Sequence, residues 1–156
     1  MEIYAGSLHA SGNPNRWNSR GKFVIYTAAN RSLACLENVV HRSSEGLNGL
    51  FKVMLIEIDE TIEIKKIHLE SLPKEWHKRA SYPICQKIGD AWYQSGKSAV
   101  LEVPSSVMPR EKVYILNTNH LDFKEKKIRL TGLEEFKFNP RIKSEFPEDL
   151  GLMNDE

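Results

Sequence analysis

The chain is 156 residues long, with 40% apolar and 28% charged residues and a net charge of +1. That length fits one domain with a core of its own, and the composition is ordinary for a soluble globular protein. The charge is uneven: Ser144 to Glu156 holds five acids and no Lys or Arg, which leaves residues 1–143 with 22 basic against 16 acidic residues, or +6. A basic body favours anionic ligands or an acidic partner surface, yet no Lys/Arg run or stripe argues for direct binding of nucleic acid. The expected division is a folded body over 1–143 and an acidic tail over 144–156.

The N-terminus lacks a basic segment followed by an apolar one, so no signal peptide is read. The longest apolar run, Val53-Met54-Leu55-Ile56, is too short to span a bilayer. A cytoplasmic protein is the expectation. Cys35 and Cys85 are isolated in helical patterns and read as buried free thiols rather than a disulfide.

In chain order, Ile3-Tyr4 starts a short strand. Phe23 to Thr27, β-branched and aromatic, predicts a buried strand. Asn30 caps a helix from Arg31 to about Arg42, with Leu33, Leu36 and Val40 on the face turned to the core. Glu37 stands on that same stripe, where a carboxylate needs a partner or the edge of a cavity. After a break at Gly46 to Gly49, Leu50 to Ile58 reads as a long strand, with Thr61 to Ile67 pairing beside it as a hairpin. Leu72 to Trp76 reads as a helical turn on the surface. Pro83 opens a second helix with Ile84, Ile88, Ala91 and Trp92 on one face, and Gly96 stops it. Ala99 to Val103, Val113 to Leu116 and Glu135 to Phe138 complete the strands. Strands outnumber helices and come in adjacent pairs, which predicts an α+β domain rather than a doubly wound sheet.

Common catalytic signatures are absent. The five histidines show no paired ligand spacing and neither cysteine has a near neighbour, so no metal site is expected. No Gly-rich phosphate loop, nucleophile elbow or dinucleotide fingerprint occurs. What remains is polar residues at the ends of elements. Arg16-Trp17-Asn18 combines a cation, a ring and an amide, which suits an anionic ligand carrying a flat ring, since guanidinium forks match phosphate geometry. The plainer alternative is a basic loop anchored by Trp17. Ser105 follows a strand and reads equally as a turn residue, and Asn117 as a strand-end cap.

The order of these motifs resembles a known family. Arg16-Trp17-Asn18, Val24-Ile25-Tyr26-Thr27-Ala28 and Leu36-Glu37 are similar to the opening of the RES domain. Gly89-Asp90-Ala91-Trp92 with Ser95-Gly96, then Val103-Pro104-Ser105 and Leu116-Asn117-Thr118-Asn119-His120, are similar to its second half. Phe138-Asn139-Pro140-Arg141 looks like its end, so the likeness runs from about Ile3 to Arg141. The resemblance implies a fold related to ADP-ribosyltransferases and a toxin of a type II toxin–antitoxin pair. Such toxins deplete NAD by phosphorolysis or hydrolysis of the nicotinamide–ribose bond. NAD is then substrate rather than cofactor, with inorganic phosphate as an optional co-substrate. The implied partner is an Xre-like helix-turn-helix antitoxin that inserts a segment into the active site, giving a hetero-oligomer.

The family's Arg, Glu and Ser fall here on Arg16, Glu37 and Ser105, although Pro104-Ser105-Ser106 departs from the commoner Pro-Ser-Ala and leaves Ser106 as a rival. On this reading Glu37 stabilises an oxocarbenium-like ribose and Arg16 clamps pyrophosphate or attacking phosphate. Trp17 or Tyr26 offers a ring face to nicotinamide, while Ser105 and Asn117 orient ribose and carboxamide. The alternatives are an ADP-ribosyltransferase with a protein target and a non-catalytic NAD-binding module.

Overall fold

The computed structural model describes residues 7–42 and 46–144. The expected strand at Ile3-Tyr4 and residues 145–156 of the acidic tail lie outside the described residues. The elements are β1 (Val24–Ala28), α1 (Arg31–Arg42), β2 (Lys52–Ile58), β3 (Ile64–Lys66) and α2 (Tyr82–Ser95). They continue with β4 (Val100–Pro104), β5 (Lys112–Asn117), α3 (Leu121–Lys124), β6 (Ile128–Glu135) and α4 (Pro140–Ser144). The mixed α+β class expected from the sequence is the one that forms. No helix among the described residues is long and apolar enough to cross a membrane.

Four strands form the central sheet in the order β1-β5-β4-β3, antiparallel except where β3 runs parallel to β4. Side chains alternate across a strand, so β4 and β5 serve two apolar layers. Leu101, Val103, Val113 and Ile115 face one layer with Trp17, Leu33, Trp76, Cys85 and Trp92. Val100 and Leu116 face the other, with Ile62, Ala99 and Ile128, against which Ile56 and Ile58 of β2 pack. A helical layer built on α2 therefore covers one face, and the two-stranded β2–β6 sheet covers the other. Each fully buried aliphatic side chain in these layers contributes roughly 1.5–3 kcal/mol.

Local signals account for the helix ends. The Asn30 Oδ1 accepts a hydrogen bond from the Leu33 backbone N–H at 2.8 Å, which caps α1. Gly96 terminates α2 at φ 59°, a left-handed conformation that glycine adopts without steric cost.

Several expectations are corrected. The Thr61–Ile67 segment does not form a hairpin with β2; its strand, β3, pairs parallel to β4, while β2 pairs with β6. Ile62 sinks into the core there and carries the chain across to the central sheet. The late strand is Ile128–Glu135, ahead of the expected Glu135 to Phe138. Gly132 interrupts its alternation in sequence; it sits near the register shift at Leu55/Ile56, where a Cβ would press on the Leu55 side chain. β1 is half-buried rather than buried, because it is a sheet edge. Trp76 lies in the expected turn but is core, 3% exposed, with its ring 6.0 Å from that of Trp17. Cys85 is buried and Cys35 only partly so; both are free. On α2 the inward residues are Cys85, Gly89 and Trp92, whereas Ile84 and Ala91 are exposed.

The stripe on α1 also behaves differently from the expectation. Leu33 is 2% exposed, but Leu36 is 39% and Val40 61% exposed. Leu33 sits on the core, Val40 on the same face overlooks the open space of a cleft, and Val39 is the residue that the C-terminal half of α1 buries. Glu37, between Leu33 and Val40, is carried to the edge of that space.

Gly89 holds the helical layer together at one point. A Cβ there would overlap the Trp17 carbonyl oxygen, so the Arg16–Asn18 loop touches the α2 backbone directly. Gly89→Ala is expected to lower stability by about 1–3 kcal/mol or more, as overpacking against unyielding backbone does. Gly49→Ala, with open space around its Cβ, is the control expected to stay near wild type. Thermal unfolding of both variants checks this, and an unchanged midpoint for Gly89→Ala would contradict the close approach.

Candidate functional site

The cleft opens along the free edge of β1, with α1, β2 and the 77–82 segment as its other walls, and encloses about 1450 Å³. That exceeds the roughly 300–1,000 Å³ of ordinary small-molecule sites and leaves room for a long ligand. Its lining includes Arg16, Arg31, Arg42, Lys52, Lys78 and Arg79, and among the described residues only one acid, Glu37. The lining cations attract a polyanion, and the carboxylate supplies negative charge at one place within it.

Glu37 is held from two sides. The Ser105 hydroxyl donates to its Oε1 at 2.7 Å, and the His41 Nε2 lies 3.6 Å from its Oε2. Partial burial pushes the Glu37 carboxyl up, but His41, the Ser105 hydrogen bond and the nearby Arg16 charge outweigh it and leave it below its ordinary value. Glu37 is therefore ionised throughout the neutral range.

Ser105 itself is 1% exposed and lies behind Glu37, away from the cleft surface. Its Oγ also accepts hydrogen bonds from the backbone N–H groups of Val107 at 3.1 Å and Met108 at 3.0 Å. With acceptor and donor roles both taken, Ser105 positions the carboxylate. Its rival, Ser106, lines the cleft instead.

The Arg16-Trp17-Asn18 loop is a tight turn closed by the Asn15–Asn18 bridge. Tyr26 on β1 ties it down: its hydroxyl accepts from the Trp17 N–H at 3.0 Å and donates to the Asn18 Oδ1 at 2.7 Å. Burial pushes the Tyr26 phenol far up, so it remains neutral. From α2, the Gln86 amide donates to the Asn15 and Asn18 carbonyls, and Asp90 accepts from the Ser19 N–H. Trp17 is almost wholly buried against Trp76, so it forms the floor of the cleft, whereas Tyr26 is half-buried in its wall.

Arg16 faces the 76–78 backbone. Its Nη1 donates to the Trp76 carbonyl at 2.8 Å and the Lys78 carbonyl at 3.2 Å, and its Nη2 donates to the His77 carbonyl at 2.6 Å. The guanidinium also lies over the ring of Tyr82, 4.5 Å from its centroid, with Trp76 at 5.7 Å.

The structure thus brings Arg16, Trp17, Tyr26 and Glu37 to one cleft, with Ser105 supporting Glu37 from behind. Asn117 is not brought there. It is not among the cleft-lining residues: its register partner is Val24, whereas β5 lines the cleft with Val113 and Tyr114. Asn117 accepts from the Asn119 N–H and caps the strand end. Residues beyond the sequence reading are His41, whose signal was its i+4 spacing from Glu37, and Tyr82, which carried none.

A family model, the RES domain, matches residues 3–139. This chain belongs to the RES domain family. It is 34% identical over 129 residues to the "Prs ADP-ribosylating toxin" of Sphingobium sp., covering 81% of this chain and 79% of that protein. It is 33% identical over 128 residues to "Toxin Res" of Yersinia enterocolitica, covering 82% and 83%. A "Toxin Res" of Photorhabdus laumondii is 33% identical over 108 residues, covering 69% of each. A chain of the crystal structure of the M. tuberculosis MbcT–MbcA toxin–antitoxin complex superposes with a TM-score of 0.64 at 14% identity, covering 90% of this chain and 81% of that one. That likeness concerns the fold, and it agrees with the α+β architecture of this RES domain.

The support beneath Glu37 is open to a direct test. Ser105→Ala removes one cause of the lowered carboxyl, so the Glu37 titration midpoint is expected to rise, read by side-chain carboxyl NMR. It also leaves two backbone N–H groups without their acceptor, at a cost of about 1–3 kcal/mol. A carboxyl whose folded value lies below its unfolded one stabilises the fold above the unfolded value, and that contribution is lost as pH falls through the folded value. Ser105→Ala should narrow this acid-side difference, and an unmoved midpoint would contradict the support.

Proposed function

We propose that this RES domain is an NAD-consuming toxin that breaks the nicotinamide–ribose bond, with phosphate or water as acceptor. The observation that carries the reading is Glu37, the lone carboxylate among the described residues of a basic cleft, held ionised by Ser105 and His41. NAD is a dianion along its diphosphate and develops positive charge at one carbon as nicotinamide departs. The cations suit the first property and Glu37 the second, since a fixed carboxylate stabilises an oxocarbenium-like ribose most at the transition state. Nicotinamide leaves as a neutral molecule, so no strong general acid is needed. Tyr26, neutral and wall-forming, offers a ring to the leaving group.

The names of the relatives support a toxin, and the neighbouring fold from a toxin–antitoxin complex supports a partner that silences it. An Xre-like helix-turn-helix antitoxin is the proposed partner, in a cytoplasmic hetero-oligomer, with this chain making no direct nucleic-acid contact. A second reading, transfer of ADP-ribose to a protein, is favoured by the name of the Sphingobium relative. Both readings break the same bond at the same carboxylate and differ only in the acceptor.

Glu37→Gln keeps shape and removes charge. The variant is expected to fold normally and to lose at least ~100-fold in nicotinamide release, the scale of removing one electrostatic group from a transition-state site. Assays with and without phosphate, and with labelled NAD and candidate protein acceptors, separate phosphorolysis, hydrolysis and transfer. Near-normal nicotinamide release by folded Glu37→Gln would overturn the proposal.

A further inference from the structure

An arginine that grips a phosphate needs its two terminal nitrogens free for the paired oxygens. In Arg16 both face backbone: Nη1 serves two carbonyls and Nη2 a third. Its flat face is covered by Tyr82 and Trp76. What Arg16 does instead is gather the carbonyls of Trp76, His77 and Lys78 to a single point, which bends this segment into an arch. The side chains of His77, Lys78 and Arg79 then line the cleft.

We infer that the 77–79 arch is the binding site for the diphosphate of the dinucleotide, and that Arg16 is a positioning residue for the arch rather than a phosphate ligand. This rests on the NAD reading and deepens it. Arg79 is the principal ligand. It is exposed and has no side-chain partner among the described residues, so its fork is available. Other cleft cations are engaged: Arg31 holds both oxygens of Glu134, Lys78 donates to Glu75 at 2.8 Å, and Arg42 lies 5.3 Å from the Phe51 ring centroid. Lys52 stands on a different wall, on β2. The arch and Glu37 line the same cleft, so a diphosphate on the arch shares that cleft with the carboxylate that serves the ribose.

Titration calorimetry of the full chain with ADP-ribose tests this directly, alongside steady-state NAD cleavage. Arg79→Ala is an exposed substitution that leaves the fold intact. It should weaken ADP-ribose binding by about 10-fold or more, the scale of a lost charge-assisted contact, and raise KM for NAD with kcat little changed. Lys52→Ala should change both far less. Arg16→Lys keeps the charge but replaces the two-nitrogen fork that spans the three carbonyls with a single shorter-reaching nitrogen, so it should loosen the arch and weaken binding as well, and adding Arg79→Ala to Arg16→Lys should then cost little more. Unchanged ADP-ribose binding by Arg79→Ala would overturn the inference and leave the NAD reading standing. Fully additive losses would overturn the positioning role of Arg16. Failure of the wild-type chain to bind ADP-ribose would overturn both.

Discussion

The Trp17 carbonyl rests on α2 where any residue but glycine would place a side chain, and the cleft inherits its geometry from that contact. The contact fixes the 15–19 turn, which Gln86 and Asp90 on α2 and Tyr26 on β1 then lock by hydrogen bonds. The turn in turn aims Arg16, and Arg16 collects three carbonyls of the 76–78 segment. A helix, an edge strand and a loop some sixty residues distant in sequence are joined through one short turn. The chain of dependence is mechanical, since each step is a backbone group pinned by a side chain that has little freedom left.

The electrostatics of the cleft follow a different logic. Its cations come from β2, α1, the arch and the Arg16 turn, elements that meet only in the folded chain. Glu37 is the counterpoint, and its ionisation is set by a balance. Burial alone would raise it, and the hydrogen-bonding contacts of His41 and Ser105 with the Arg16 charge bring it below its ordinary value. Because Ser105 also collects two backbone N–H groups after β4, the carboxylate is fastened to the rigid end of the central sheet and not to α1 alone. A group meant to stabilise charge at one carbon benefits from such fastening, since reorganisation at the moment of reaction costs rate.

Much of this was legible in the residues. The Asn30 cap, the Gly96 stop and the extent of α1 rest on local chemistry, which sequence displays directly. Glu37 was legible because a carboxylate on an apolar stripe demands an explanation. The stripe itself misled, since periodicity shows which residues share a face but not whether that face meets core or cavity along its whole length. Leu36 and Val40 are exposed for that reason. Strand partners were equally hidden: a period of two assigns faces, not neighbours, so the pairing of β2 with β6 and of β3 with β4 could not be read. Trp76 in a Pro-Lys-Glu turn looked like surface and is core. Asn117 ends a strand as Ser105 nearly does, yet it closes the end of β5 away from Val113 and Tyr114, the residues by which β5 lines the cleft.

The account turns on Glu37 facing the reacting carbon of NAD, and a crystal structure of Glu37→Gln soaked with NAD measures that most directly. The account predicts NAD in the cleft with its nicotinamide-bearing ribose carbon against residue 37 and its ring by Tyr26. NAD bound with that ribose turned away from residue 37, or bound outside the cleft, would contradict it.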